Sequence, residues 1–358
     1  MNVIVVTTFP IPHAGGLSTH VELLCSSLES RGHRVMLLHG GKIHPLFVKR
    51  AWRWLRRRMK KDTPARFVVE NRRQVERVQA FGRHACEVFH PDIIHCHDPF
   101  VAVAMLRATK GKVPVVETVH GPALYETKML LGDGYDLYYD EIRKIEQEAF
   151  SGASFLFPVD TGQKEILLRD YGVPASKVAV VYNCVDVDEV RRLSQPEPEW
   201  PMPEPYFLVP RRLVPKTGVR YAIEAMRFIN TESVRLVIAG DGVLRQELQA
   251  YAEELGVRDR VQFLGSVPRP KLMPLFSRAV GVLVPSVPAT GVVEATSLAV
   301  TESMAAGTVP IASAIGGLAE LIDDGKTGLL VPPGDASSLA DAIRRQSGLM
   351  TMLLTAPS

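Results

Sequence analysis

Two glutamates eight residues apart are the residues of this sequence with the clearest chemical meaning. Glu294 and Glu302 lie in a run of small residues that ends at Gly307 and leads into a strand-like segment, 309–313. Ser297 is placed to cap a short helix that stops at Gly307, which puts Glu294 in the loop before the helix and Glu302 inside it. The unpaired N–H groups of a helix start suit a diphosphate, and the two carboxylates suit hydroxyl groups of a sugar and a ribose.

The glutamate pair alone does not establish a site, because two glutamates in a helical segment are as easily solvated surface residues. A glycosidase is a rival chemical interpretation. Its two carboxylates face each other across one bond, about 5–9.5 Å apart. Eight residues of continuous helix span about 12 Å, so this spacing argues against a glycosidase.

Composition indicates a globular protein with room for two domains. The chain has 358 residues, of which 46% are hydrophobic and 23% charged. Cys25, Cys86, Cys96 and Cys184 show no paired short spacing, so we expect neither a disulfide framework nor a zinc site, and a reducing cytoplasm. Residues 1–6 are apolar without a basic start, which favours a strand over a signal peptide, and no apolar run approaches the ~20 residues of a membrane span.

Short apolar segments alternate with amphipathic helical ones, which predicts an α/β fold of two doubly wound, Rossmann-like parallel sheets. The predicted strands of the first half are 3–8, 34–38, 92–95, 113–119, 154–158 and 178–182. Those of the second half are 207–210, 234–239, 261–264, 280–284, 309–312 and 329–331.

A proline-dense run at 196–205 separates the two halves. We therefore predict a first domain over 1–193, a linker over 194–205, a second domain over 206–344 and a tail over 345–358. Ligands of open α/β sheets bind beyond the carboxyl ends of the strands, so the site is expected in a cleft between the domains.

Glycines follow the first predicted strand of the first half, and basic residues follow the first predicted strand of the second half. Gly15 and Gly16 would let the backbone approach a phosphate, although an ordinary β–α turn explains them equally well, and they do not form the GxGxxG dinucleotide fingerprint. Arg211, Arg212 and Lys216 can clamp a diphosphate, with solvated surface bases as the alternative. Glycine-bearing turns at 238–242 and 316–328 are structural when taken alone.

Together and in this order, these segments resemble the family 4 retaining glycosyltransferases of the GT-B fold, whose E-x7-E motif has the spacing of the two glutamates. The resemblance extends from about residue 3 to residue 344. It is specific in the second half, through 211–213, 240–242, the two glutamates and 316–320. It is looser in the first half, through 15–16, 95–98, 120–121 and 183–186.

The resemblance implies roles for individual residues. The catalytic set would be His120 beside the transferred sugar, Arg212 and Lys216 on the diphosphate, and Glu294 on hydroxyls of the donor sugar. Glu302 would bind the ribose. The other donor-binding residues would be Gly15, Gly16, Arg211, Gly240, Ser297 and Leu298. Neither a metal nor another cofactor is implied, since the bases can replace a metal at the diphosphate.

Three departures from the family pattern stand out. Ala295 and Cys184 replace usual glycines. Arg211 and Arg212 form a doublet, of which Arg212 is favoured as the phosphate ligand because Leu213 follows it, as in the family. The sequence also stops where family members usually continue with helices that return to the first domain, so we expect a truncated or divergent end.

A basic segment at 47–61 is the second feature with a functional meaning. Residues 49–61 contain eight lysines or arginines and no acid. On a helix the segment would have one apolar stripe and an opposite basic face, which suits an anionic membrane surface. A helix packed on its own domain is the alternative, and nothing else indicates a nucleic-acid module. The predicted membrane-binding residues are Trp52, Trp54, Arg56, Arg57 and Arg58.

These features, with the resemblance, predict an enzyme that moves a sugar from a nucleotide diphosphate sugar to a hydroxyl group, with retention and without a metal. A lipid-linked or cell-envelope glycan is the expected acceptor, and the protein is expected at the cytoplasmic face of the membrane. Two alternatives stay open. One is a catalytically silent GT-B partner of another transferase, and the other is a sugar-nucleotide epimerase of the same architecture.

Overall fold

The structure is a computed structural model that describes residues 1–12, 15–43, 64–195, 205–229, 234–289, 291 and 293–355. The chain divides into two compact units, unit 1 (Met1–Tyr182) and unit 2 (Asn183–Ser358). The predicted basic helix at 47–61 lies outside the described residues. So do its proposed membrane contacts Trp52, Trp54, Arg56, Arg57 and Arg58.

Unit 1 is built on a parallel five-stranded sheet in the order β2-β1-β3-β4-β5. Its strands are β1 (Asn2–Thr7), β2 (Arg34–His39), β3 (Ile93–Cys96), β4 (Val115–Val119) and β5 (Phe155–Pro158). Its helices are α1 (Gly16–Ser30), α2 (Gly40–Ile43), α3 (Pro64–Phe89), α4 (Pro99–Thr109), α5 (Ala123–Leu131), α6 (Asp136–Gly152) and α7 (Thr161–Asp170).

The apolar run of β1 is explained by burial on both faces of the sheet. Ile4 and Val6 belong to one hydrophobic cluster, whereas Val3 and Val5 belong to another that includes Val21 of α1. Successive strand residues point to opposite faces, so a strand covered by helices on both sides is apolar at every position. This is the packing expected of a doubly wound sheet.

Unit 2 is built on a parallel six-stranded sheet in the order β11-β10-β9-β6-β7-β8. Its strands are β6 (Tyr206–Val209), β7 (Arg235–Ala239), β8 (Val261–Gly265), β9 (Gly281–Val284), β10 (Pro310–Ser313) and β11 (Leu329–Val331). Its helices are α8 (Val187–Leu193), α9 (Val219–Ala225), α10 (Arg245–Glu254), α11 (Arg269–Arg278), α12 (Leu298–Ala305), α13 (Gly316–Leu321) and α14 (Ala336–Thr355).

The predicted architecture of two parallel α/β sheets is confirmed, and eleven of the twelve predicted strands are present with small shifts at their ends. The exception is 178–182. Ala179 and Val181 donate their backbone N–H groups to the carbonyls of Leu156 and Pro158 in β5, but within the segment only Val178 forms a bridge with this strand. The segment therefore lies against the sheet edge without becoming a sixth strand.

The boundary between the units lies earlier in the chain than predicted, after Tyr182 instead of after residue 193. Val190 of α8 is fully buried in a core cluster of unit 2, and the Ser277 hydroxyl donates to the Ser194 carbonyl at 2.8 Å. These contacts attach α8 to the second sheet. Residues 345–355, predicted as a tail, instead continue α14.

Candidate functional site

A buried ion pair joins Arg211 and Glu294 in unit 2. An Arg211 guanidinium nitrogen lies 2.7 Å from Oε1 of Glu294, and the two side chains are 9% and 12% exposed. The same guanidinium donates to the hydroxyls of Ser297 at 2.8 Å and Ser286 at 3.1 Å. Arg211 follows β6 and Ser286 follows its neighbour β9, so the cluster forms at the carboxyl ends of adjacent parallel strands.

The charge on Glu294 is stabilised by its neighbours. Burial by itself would raise the pKa of Glu294, but the positive charges of Arg211 and Lys216 and hydrogen bonds from Arg211 and Ser286 outweigh it. The pKa therefore lies below the ordinary glutamate value. Glu294 is a carboxylate at neutral pH, and it can accept hydrogen bonds from hydroxyl groups.

The arginine beside Glu294 is not the one that the resemblance favours. The side chain of Arg212 is exposed, whereas Arg211 is buried. Lys216 is half-buried in a 3₁₀ turn, Pro215–Thr217, and its charge acts on Glu294. The structure thus brings Arg211 and Lys216 to the glutamate, and the phosphate contact predicted for Arg212 stays a prediction.

The loop before α12 is fixed by two hydrogen bonds to its backbone carbonyls. Asn183 Nδ2 donates to the Thr296 carbonyl at 3.0 Å, and the backbone N–H of Gly317 donates to the Glu294 carbonyl at 3.1 Å. A Cβ added at Gly316 would lie 2.2 Å from the Glu294 carbonyl oxygen, and one at Gly317 would lie 2.4 Å from Thr296 N. The two glycines that begin α13 are therefore required to position Glu294, which the sequence alone did not reveal.

Ser297 occupies the N-cap position of α12, as predicted, and Leu298 is the first helical residue. The Ser297 hydroxyl accepts a hydrogen bond from Arg211 instead of forming the cap bond expected from its position. Its side chain thus ties the start of α12 to the ion pair. The donor contacts implied for Ser297 and Leu298 stay predictions.

Glu302 has its own arginine partner. It lies within α12, is 8% exposed, and its Oε1 is 3.1 Å from Nε of Arg269. Arg269 also binds Glu189 of α8 at 2.8 Å. Burial raises the pKa of Glu302, and the nearby Arg269 only partly opposes this. Sequence reasoning missed Arg269 and Glu189, because neither lies in a motif.

The helical spacing of the two glutamates does not apply to the folded chain, since Glu294 precedes α12 and only Glu302 lies in it. The about 12 Å expected from continuous helix is thus not a valid measure of their separation. What the fold shows is two glutamates in two separate ion pairs, one with Arg211 and one with Arg269.

Gly240 is required by the backbone that carries Arg211. A Cβ at Gly240 would lie 1.8 Å from the Arg211 carbonyl oxygen, and one at Gly242 would lie 2.3 Å from the Leu213 carbonyl oxygen. The Asp241 carbonyl accepts from the backbone N–H of Leu213 at 3.0 Å. The turn after β7 thus packs directly on the segment after β6, and a donor contact of Gly240 stays a prediction.

The carboxyl end of β1 in unit 1 carries the predicted glycines. Gly15 has a φ of 145°, a conformation that favours glycine, and Gly16 begins α1. The neighbouring loop is held by Asp98, which accepts from Thr8 N at 2.7 Å and also caps α4 through Val101 N at 3.0 Å. The contact of Gly15 and Gly16 with donor phosphates stays a prediction.

Four histidines cluster at the same edge of the unit 1 sheet. His97 follows β3, His120 follows β4, and His20 lies in α1. Nδ1 of His97 is 3.3 Å from Nε2 of His120, and the His95 ring stacks on that of His97 at 4.7 Å between centroids. Burial lowers the pKa of His95 to about 4 and those of His97 and His120 well below the ordinary value. These three rings are therefore neutral at pH 7.

Both halves of the chain match models of glycosyltransferase families. Residues 14–189 match the model described as Glycosyltransferase Family 4, and residues 190–346 match that of Glycosyl transferases group 1. This chain belongs to the family 4-like glycosyltransferases. An uncharacterised glycosyltransferase of Methanocaldococcus jannaschii is 27% identical over 371 residues, which cover 94% of this chain and 86% of that protein.

Solved structures confirm the GT-B fold. Sucrose-phosphate synthase from Thermosynechococcus elongatus superimposes with a TM-score of 0.73 at 21% identity, covering 97% of this chain and 90% of the other. Anabaena HepE in complex with UDP-glucose superimposes with a TM-score of 0.69 at 18% identity, covering 98% of this chain and 91% of HepE. WaaG, a glycosyltransferase involved in lipopolysaccharide biosynthesis, superimposes with a TM-score of 0.67 at 19% identity, covering 98% of this chain and 91% of WaaG.

Crossing a bilayer requires a helix that is both long and apolar. Within the part of the chain that the structure describes, no helix has both the length and the apolar character needed.

Proposed function

We propose that this family 4-like glycosyltransferase moves a sugar from a nucleoside diphosphate sugar to an acceptor hydroxyl, with retention of configuration at the anomeric carbon. The observation that carries the proposal is the state of Glu294. Oε1 of Glu294 is held by Arg211, whereas Oε2 is buried and has no hydrogen-bond partner among the described residues. A buried carboxylate oxygen without a partner is costly unless a ligand supplies the donor, and a sugar hydroxyl is such a donor.

The diphosphate would bind where positive charge converges in unit 2. Lys216 is close enough to lower the pKa of Glu294, and Arg212 projects into solvent from the same segment. The start of α12 adds backbone N–H groups and the positive end of a helix dipole. These groups can stabilise the charge on a leaving diphosphate, so the proposed mechanism requires no metal at the diphosphate.

Transfer with retention would follow from attack on the face that the diphosphate leaves. The bond from the anomeric carbon to the phosphate oxygen breaks, the acceptor oxygen bonds to that carbon, and the acceptor proton passes to the departing phosphate oxygen. His120 is neutral at pH 7, because burial and the neighbouring His20 and His95 lower its pKa. It would hydrogen-bond near the reacting groups without adding charge, while the protein supplies positioning and electrostatic stabilisation.

UDP-sugars are the first donors to test, because HepE, which shares the fold, has been solved with UDP and with UDP-glucose. A lipid-linked or cell-envelope glycan is the proposed acceptor. Two observations support it. WaaG, which shares the fold, is involved in lipopolysaccharide biosynthesis, and the eight bases at 49–61 suit an anionic membrane surface. The protein would then act as a peripheral protein at the cytoplasmic face.

Calorimetric titration with UDP, GDP and ADP, and with UDP-glucose, tests the donor site. We expect one nucleotide to bind and Glu294→Gln to weaken the sugar-bearing donor more than the free nucleotide, because Glu294 is assigned to the sugar. A Glu247→Gln variant, which changes an exposed glutamate of α10, serves as a charge-matched control. Absence of binding to any nucleotide would overturn the proposal, and conversion of the donor without acceptor into an epimer would favour an epimerase.

Vesicle sedimentation tests the membrane part. We expect binding to anionic but not to neutral vesicles, and weaker binding as salt rises. Arg56→Glu, Arg57→Glu and Arg58→Glu together should abolish it. The matched control changes three exposed bases of unit 1, Arg83, Lys110 and Lys112, to glutamate. Equal loss in both triple variants would show a nonspecific charge effect, and no binding by the wild type would indicate a soluble acceptor.

A further inference from the structure

Arg269 joins two glutamates that come from different helices of unit 2. It is the first residue of α11, and its Nε donates to Oε1 of Glu302 in α12 at 3.1 Å, while its Nη1 donates to Oε2 of Glu189 in α8 at 2.8 Å. We infer that Arg269 is a positioning residue for the nucleotide. It holds Glu302 as an oriented carboxylate, and the donor site thereby prefers ribose over a sugar that lacks the 2′- and 3′-hydroxyls.

A role in stability alone does not account for the pair of Arg269 and Glu302. Nη2 of Arg269 is buried and has no hydrogen-bond partner among the described residues. Burial also raises the pKa of Glu302 above its ordinary value, even with Arg269 beside it. A buried ion pair stabilises a fold only when its remaining polar atoms are satisfied. This pair is therefore a poor source of stability, which favours a function for the carboxylate.

The contact with Arg269 leaves part of Glu302 available to a ligand. Oε1 accepts from Nε of Arg269, and among the described residues Oε2 accepts no hydrogen bond. An ionised carboxylate only accepts hydrogen bonds, and the adjacent hydroxyls of a ribose can both donate them. Because one oxygen is held, the carboxylate has a fixed direction in which it can accept from a ribose.

Glu189 fixes Arg269 in turn. The guanidinium is planar and rigid, and it donates to the two glutamates through different nitrogens. It cannot turn away from Glu302 without also breaking its contact with Glu189. The side chain of Glu302 is 10% exposed, whereas that of Glu189 is 42% exposed. Glu189 therefore serves as an outer anchor, and Glu302 is the buried carboxylate that Arg269 orients.

The position of Glu302 along α12 suits a nucleotide at the start of that helix. Glu302 lies four residues after Leu298, the first helical residue, which corresponds to about 6 Å along the helix axis. A nucleoside diphosphate extends further than this from its diphosphate, so its ribose can reach Glu302. The inference rests on the proposed donor function and on the ribose contact predicted for Glu302.

Calorimetric titration of the full-length protein with UDP and with 2′,3′-dideoxy-UDP, and with the corresponding GDP and ADP pairs, tests the inference. We expect the wild type to prefer the ribonucleotide about 10–100-fold, the usual contribution of a hydrogen bond to a charged group. Arg269→Met should reduce this preference to less than about threefold by weakening the ribonucleotide alone. Lys271→Met, which changes an exposed base of the same helix, is the matched control and should keep the preference.

Two further variants show whether Arg269 acts through Glu302. Glu302→Gln removes the charge that Arg269 stabilises and should lose the same preference. The double variant Arg269→Met/Glu302→Gln should bind no more weakly than Glu302→Gln alone, because the two residues act as one unit. It also removes both charges together, so no unpaired Glu302 carboxylate is left to unfold the chain. Arg269→Lys keeps the positive charge and should retain more of the preference than Arg269→Met does.

The outcomes separate this inference from the proposed function. If Arg269→Met binds the ribonucleotide but keeps the full preference, Arg269 is not a positioning residue and the donor site stands. Additive losses in the double variant would also overturn the inference. Equal affinity of the wild type for the two nucleotides of a pair would overturn the ribose contact of Glu302 and the role of Arg269 with it. Absence of binding to all of them would overturn the proposed function itself.

Discussion

Arg211 and Glu294 form an ion pair that reaches from the end of β6 to the loop before α12, with 2.7 Å between nitrogen and Oε1. The pair neutralises a buried carboxylate before any ligand arrives. Because only Oε1 is engaged, the interaction orients the side chain and leaves Oε2 for a hydrogen-bond donor. A site assembled in this way has little reorganisation to perform when a sugar binds.

Replacement of Arg211 should destabilise unit 2 far more than replacement of its neighbour. Arg211→Met leaves Glu294 buried without its partner, which costs about 3–5 kcal/mol for a broken buried pair. Arg212 is exposed, so Arg212→Met should change the free energy of unfolding by no more than about 0.5 kcal/mol. Urea denaturation, monitored through hydrogen exchange in peptides that cover β6 and α12, measures the free energy of unfolding of both variants. Similar losses in the two variants would contradict the assignment of Arg211.

Gly240→Ala should also destabilise unit 2. The added Cβ would lie 1.8 Å from the Arg211 carbonyl oxygen, so the backbone must shift, at a cost of about 2 kcal/mol or more. Gly348→Ala is the matched control, because Gly348 lies in α14 with open space around its Cβ. That change should stabilise the helix by about 0.5–1 kcal/mol. A neutral Gly240→Ala variant would show that the turn after β7 moves freely.

Glu146 should make unit 1 less stable as pH rises. Burial raises its pKa to about 7 in the folded chain, although hydrogen bonds from Tyr171 and from the backbone of Leu124 and Ala123 oppose this. Between pH 4.5 and 7 the folded state keeps a proton that the unfolded state releases, so the free energy of unfolding falls through this window. The expected fall is on the order of 3 kcal/mol.

Comparison with Glu146→Gln isolates this effect. The buried His95 has a pKa of about 4 instead of the ordinary 6.5, so between these pH values it makes the free energy of unfolding rise with pH. The wild type alone would therefore show the sum of two opposite effects. The difference between wild type and variant removes the shared contribution. The free energy of unfolding is measured at pH 5, 6, 7 and 8 by denaturation, followed through hydrogen exchange in α6 and α7. For the variant it should fall less steeply with pH than for the wild type, or should rise. Parallel profiles would mean that Glu146 titrates normally.

The four cysteines should react with iodoacetamide in the order of their burial. Cys184 is exposed, Cys25 and Cys86 are half-buried, and Cys96 in β3 is fully buried. Burial also raises the pKa of Cys25 to about 11, with help from Glu29 and Glu22, and it lowers the fraction of reactive thiolate. Mass spectrometry should find Cys184 modified first and Cys96 only after unfolding. Early modification of Cys96 would show that unit 1 opens locally.

The elements themselves were predictable, because they depend on local patterns. The segments 3–8 and 207–210 were predicted as strands of parallel, doubly wound sheets, and the corresponding β1 and β6 both divide their side chains between two core clusters. Ser297 was predicted correctly at the start of a helix, since cap preference acts within one turn. The boundary after Tyr182 was not predictable from the proline run, because it depends on where α8 packs.

The sequence by itself determined the two parallel sheets and the family resemblance, and it singled out Glu294 and Glu302 as candidate site residues. Only the tertiary structure decided which side chains meet. Arg211 reaches Glu294 because β6 and β9 are neighbours in the sheet, and His20, far from His97 and His120 in the chain, joins them because α1 lies beside the ends of β3 and β4. Periodicity reports on neighbours a few residues apart, whereas contacts at strand ends depend on strand order, which no local pattern encodes.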